Sequence, residues 1–210
     1  MPVNTPFLKW DSEPVSVAVP GIECILGDKL TAFAPNTTGV PYFKKEISMS
    51  MEIIKQLFDI GLLFNFAEDM PIVSETFNLI AQNELSYRKM NQLTAADVLE
   101  DILQTSLCLS LRGTAGKGDF TQLQSGISRL KPMILSETFI LEKAIIAASK
   151  AAYLSRCIAS GAKTLKKFNN SVDMQDWIIQ QPNDTKLNKL KKSLPEAFFY
   201  WYQAINSMKH

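Results

Sequence analysis

Lys29, Lys55 and Asp59 are the side chains whose types and spacing could do chemistry. Residues 21–34, read as a helix, put Ile22, Ile25, Leu26, Leu30 and Phe33 on one broad stripe at the 3.6-residue period, with Lys29 near its middle. An ammonium buried without a partner is costly, so Lys29 must reach solvent, meet a carboxylate, or line a wet cleft where an anion binds. Lys55 and Asp59 stand four apart on a second predicted helix, residues 51–66, and share a face in the less favourable order for pairing. Two coincident breaks in binary patterning tend to mark function. The plain structural alternative is a buried Lys29–Asp59 salt bridge, which needs good geometry to offset desolvation.

Other chemistry is excluded or weaker. The single histidine is His210, which rules against histidine triads, histidine general bases and His/Cys zinc sites. Residues 111–118 (LRGTAGKG) fail as a phosphate loop. Leu111 stands where a glycine is needed, Gly118 follows Lys117 in place of a hydroxyl residue, and no strand precedes them. They read as a flexible helix–helix connection. Asp11-x-Glu13 has paired-carboxylate spacing but lies in a proline-flanked turn and reads as surface. From residue 161 onward eight lysines stand against four acids. Among them Lys163, Lys166, Lys167, Lys186, Lys189, Lys191 and Lys192 are candidates for contact with RNA phosphates, the alternative being a solvated helix face.

These residues need elements to hold them, and the pattern predicts a mainly α protein. Beyond the two helices above, apolar periodicity predicts helices over residues 72–90, 95–111, 119–130, 136–160, 173–180 and 186–206. Thr94 and Asp97 form a capping box, and the aromatic run 198–202 reads as core. The one β signal is Val15 to Val19, alternating with period two. A lone strand cannot satisfy its own hydrogen bonds, so it reads as the remnant of a larger α/β unit. The expected organisation is residues 1–68 as that remnant, a strand plus two helices, and residues 69–210 as a helical bundle.

The 210 residues, 46% hydrophobic and 20% charged, have a globular composition, and a net charge of +1 says little about partners. Three cysteines, each in a predicted helix, fit reduced thiols of a cytoplasmic protein. No signal peptide is seen, and charges interrupt the most apolar segment, residues 139–162, so no membrane span and no membrane partner are expected.

Residues 25–39 (ILGDKLTAFAPNTTG) followed by residues 53–60 (IIKQLFDI) resemble the AbiEii/AbiGii toxin family, nucleotidyltransferase-like toxins of bacterial toxin–antitoxin and abortive-infection systems. The likeness covers residues 15–66. It implies a nucleotidyltransferase-like α/β domain followed by a helical domain, Mg²⁺ and a nucleoside triphosphate as cofactors, and nucleotide transfer to tRNA ends. It also implies roles: Lys29 contacts the triphosphate, Lys55 stands beside it, and Asp59 supports the catalytic centre. The family's metal motif, G-S…D-x-D, is absent from this sequence. The expectation is therefore a carboxy-terminal portion of such a protein, silent by itself and binding no cofactor tightly alone, with tRNA or a cognate antitoxin as partner and no DNA. The alternative is a stand-alone helical protein–protein interaction module; a third option is a site completed by another polypeptide.

Overall fold

A computed structural model describes residues 17–182 and 184–206. Its helices are α1 (Ile22–Ala32), α2 (Ser50–Phe66), α3 (Met70–Tyr87), α4 (Ala95–Ser110), α5 (Phe120–Leu130), α6 (Leu141–Ser160), α7 (Leu190–Ser193) and α8 (Pro195–Asn206). Between α1 and α2 lies a short antiparallel hairpin, β1 (Phe43–Lys44) and β2 (Ile47–Ser48), pairing Phe43 with Ser48 and Lys44 with Ile47. The described residues thus form a mainly helical bundle with one two-stranded sheet.

Local chemistry sets the helix ends. The Asp69 carboxylate accepts from Ile72 N at the start of α3, where Pro71 needs no hydrogen-bonded N–H. Thr94 and Asp97 close the predicted capping box on α4, and Asp119 caps α5. Gly161, in the left-handed region at φ 69°, ends α6.

α1 lies between α2 and α3. It runs antiparallel to α2, because Glu23 at its start accepts from Glu68 N just past the end of α2, while Lys29 reaches back to Gln56 and Asp59. Gly27 faces α3 so closely that a Cβ there would stand 2.9 Å from Val73 O. α6 is buried along most of its length between α4, α8 and α2, its alanines permitting close packing. One core of side chains from α1 to α6 and α8 runs across residue 68.

Several elements differ from the sequence pattern. Residues 17–20 are exposed and belong to no strand, while Val15 and Ser16, like Asp11 and Glu13, lie outside the described residues. The observed hairpin went unpredicted because two residues per strand are too few to show a period. Residues 173–180 form no helix: Asp173 accepts from Gln175 N, and the backbone turns instead. The predicted helix 186–206 is broken: a 3-10 turn, Thr185–Lys189, leads into α7, and the chain leaves helical geometry at Leu194 before Pro195 opens α8. α6 starts at Leu141 rather than 136. α2 is not buried all round; Leu62 is 41% and Phe66 67% exposed, since its neighbours cover only one side. On α1 the buried face is Leu26, Gly27, Leu30 and Thr31, turned toward α3, so Ile22 is exposed and Lys29 stands at the edge of the stripe.

Candidate functional site

α1 and α2 bring Lys29 and Asp59 together. The Lys29 ammonium lies 2.9 Å from Asp59 Oδ2 and donates to Gln56 Oε1 at 3.1 Å. The two side chains are 24% and 27% exposed, so the pair sits at the rim of the α1–α2 seam, within reach of solvent. Lys55 is exposed and makes no ion pair among the described residues; it does not bond to Asp59. Periodicity places Glu52, Lys55, Gln56, Asp59, Leu62 and Phe66 on one side of α2. Glu52 Oε2 is buried without a hydrogen-bond partner among the described residues.

This face suits phosphate better than metal. Lys29 offers an ammonium oriented by two acceptors, and Lys55 is an exposed cation one turn before Asp59 on α2; two such groups are of the type that clamps phosphate oxygens. Mg²⁺ asks for near-octahedral oxygen ligands from carboxylates and substrate phosphates. Asp59 is already paired with Lys29, and among the described residues no group of three or more His, Cys, Asp or Glu is placed to hold a metal ion. These residues by themselves do not fit Mg²⁺.

The loop after α1, residues 35–39 (PNTTG), is fixed from across the molecule. Asp101 on α4, 8% exposed, accepts from Asn36 N (2.8 Å), Asn36 Nδ2 (2.7 Å), Thr37 Oγ1 (2.9 Å) and Thr105 Oγ1 (3.3 Å). Burial pushes its carboxyl above the usual range, against the pull of those donors. Arg88 on α3 donates to the Thr37 and Gly39 carbonyls at 3.1 and 3.0 Å. The loop thereby positions the end of α1. Asp101 was legible: it stands three residues after Val98 and one before Ile102, on the apolar face of α4.

The RNA-contact candidates are not gathered in one place. Lys163, Lys166 and Lys167 follow the end of α6, whereas Lys189 lines a recess with Glu142 and Ile145 of its first turns, roughly a helix length of 30 Å away. Lys163, Lys189 and Lys192 are exposed. Lys166 Nζ donates to Gln203. Lys167 Nζ is engaged by the Phe64 and Ala67 carbonyls at the end of α2, 4.3 Å from the Phe64 ring centroid, and desolvation holds its pKa below the usual lysine value.

Lys150 is the buried cation that periodicity did not single out. It is 6% exposed, pairs with Glu196 at 2.9 Å and donates to Asn65 Oδ1 at 3.0 Å. Phe64 and Tyr200 flank its ammonium at 5.5 and 5.8 Å. The aromatic run is core, with Phe198, Phe199, Tyr200 and Trp201 all buried. Residues 111–118 connect α4 to α5, and Gly116 (φ 83°) lies against α4 where a Cβ would meet Cys108 N at 2.4 Å. The three thiols are free, Cys108 and Cys157 buried, and burial pushes Cys157 up to about 11. No helix among the described residues is long and apolar enough to cross a membrane. Compared with models of known families, with curated proteins and with solved structures, the chain matches none of them.

Proposed function

We propose that this chain supplies one wall of a nucleoside-triphosphate site in a cytoplasmic nucleotidyltransferase-like protein of the AbiEii/AbiGii toxin type, its other helices binding tRNA or a cognate antitoxin. The observation that carries this reading is the Lys29–Asp59 pair at the partly exposed α1–α2 rim, with Lys55 free beside it. Lys29 and Lys55 hold triphosphate oxygens; Asp59 keeps the Lys29 ammonium in place and is the group nearest the reacting centre. The carboxylates that hold Mg²⁺ come from outside these residues, so the chain alone transfers no nucleotide.

The test is equilibrium binding of a fluorescent ATP analogue with Mg²⁺, followed by label transfer from each nucleoside triphosphate to bulk tRNA. Weak binding that drops about tenfold in Lys29→Ala, with melting largely unchanged, is the expected result. Transfer by the chain alone, abolished by Lys29→Ala, overturns the silent-wall reading. Absence of binding at millimolar nucleotide removes the nucleotide reading altogether.

A second reading is an interaction module without catalysis. It is favoured by Leu62 and Phe66, exposed on the same side of α2 as Lys55 and Asp59. Phe66→Ser that abolishes capture of a purified antitoxin, with nucleotide binding absent in the parent chain, selects this reading.

A further inference from the structure

We propose that the groove between α2 and α6 binds an apolar α-amino acid, its carboxylate held by Lys150 and Asn65 and its ammonium by Glu196. α2 lines the groove with the face that carries Phe58, Leu62 and Asn65, and α6 with the face that carries Ile146 and Lys150, each at helical spacing. On its floor Gly61 meets Ala147; an added Cβ would stand 3.0 Å from the alanine Cβ, so no side chain at 61 fills the space. The groove measures about 270 Å³, just below the ~300–1,000 Å³ of drug-sized ligand sites, which suits a molecule of amino-acid size.

The polar end specifies the ligand. Lys150, 6% exposed, donates to Asn65 Oδ1 at 3.0 Å and pairs with Glu196 Oε1 at 2.9 Å, which engages two of its three N–H donors. Asn65 Nδ2 and Glu196 Oε2 have no partner among the described residues. A buried ammonium with a donor to spare, an amide that still donates and a carboxylate oxygen that still accepts therefore meet at one end of the groove. A ligand carboxylate there gains charge-assisted bonds from Lys150 and Asn65, and an ammonium on the adjoining carbon gains one from Glu196. The ligand side chain then lies on Leu62, 41% exposed, and Ile146, toward the edge-on Phe58–Phe139 pair. At that other end, roughly 10 Å along α6, Lys143 and Glu137 pair with each other. Two cations against two carboxylates leave the groove without net charge, which disfavours a polyanion. A lone carboxylate would face Glu196 unmatched, and a lone amine would face Lys150. Lys29, Lys55, Gln56 and Asp59 do not line this groove, which stands apart from the proposed nucleotide wall.

The experiment is a saturation-transfer NMR titration of the full chain with L-phenylalanine and with three analogues. Phenylpropionate lacks the ammonium, phenethylamine lacks the carboxylate, and glycine lacks the side chain. L-Phenylalanine is expected to bind with a Kd below about 1 mM, and each analogue about tenfold more weakly or worse. Asn65→Asp keeps an acceptor for Lys150 but removes the amide donor and sets a carboxylate against that of the ligand. It is expected to weaken L-phenylalanine by more than about tenfold without lowering the melting temperature. Leu62→Ser is expected to weaken it about threefold. Leu79→Ser, the same change at an exposed leucine on α3, is expected to leave it unchanged. No binding at millimolar L-phenylalanine, an analogue that binds as tightly, unchanged affinity in Asn65→Asp, or equal effects of Leu62→Ser and Leu79→Ser each overturn the proposal. Lys29→Ala separates the two readings: it leaves L-phenylalanine binding intact whether or not it abolishes nucleotide binding.

Discussion

The Lys29 ammonium and the Asp59 carboxylate meet at 2.9 Å across the α1–α2 seam, each about a quarter exposed. Partial exposure decides the strength of this contact, because water screens the attraction and the desolvation cost is correspondingly small. A double-mutant cycle with Lys29→Ala and Asp59→Ala is expected to give a coupling of about 0.5–1 kcal/mol in denaturant melts. A coupling of several kcal/mol would mean a buried pair.

Asp101 is a larger structural investment. Its carboxylate meets four donors from Asn36, Thr37 and Thr105. Asp101→Asn turns an amide toward two of them and is expected to destabilise by about 2–4 kcal/mol, measured by urea unfolding. Because residues 35–39 fix the end of α1, the same variant should also weaken nucleotide binding.

Lys150 and Glu196 should respond asymmetrically. Glu196→Gln can still offer an acceptor oxygen but removes the counter-charge from a buried ammonium, and is expected to cost about 2–3 kcal/mol. Lys150→Met removes the buried charge, fills its space and frees a carboxylate that is one-third exposed, so it should cost less. Equal losses in thermal melts would contradict the burial of Lys150.

Alkaline pH should unfold the chain through its tyrosines. Burial pushes Tyr42 and Tyr200 up to about 12 and raises Tyr153 as well. A phenol whose folded pKa lies above its ordinary value near 10 favours the neutral, folded state. The stability this supplies is complete below pH 10 and is lost as pH rises from there toward 12. Phenolate absorbance should therefore rise with loss of helical circular dichroism; ionisation of all tyrosines at pH 10 in a folded chain would be inconsistent with this burial.

Gly116→Ala should be severe despite its small size. The position combines φ 83° with a Cβ only 2.4 Å from α4 backbone, so the loop must leave α4. A loss of more than about 3 kcal/mol is expected in urea melts.

The sequence by itself determined where the first six helices lie, whereas residues 173–180 form none and residues 186–206 break at Leu194. Period 3.6 marked the first two helices and the core of α3 to α6, and Asp119 and the Thr94–Asp97 box are local chemistry that acts over three or four residues. It also placed Lys29 and Asp59 where a meeting was one of the outcomes. Tertiary structure alone decided that they do meet, that Lys55 stays free, that Leu62 and Phe66 are uncovered, and that Asp101 reaches across 65 positions to Asn36. It also decided that Lys186 stands between two recesses while Lys163 lies at the far end of α6. The physical reason is that periodicity fixes which side of a helix is apolar but carries nothing about which neighbour covers it. Long-range partners, and the exposure that sets what a charge can do, come only from how the helices pack.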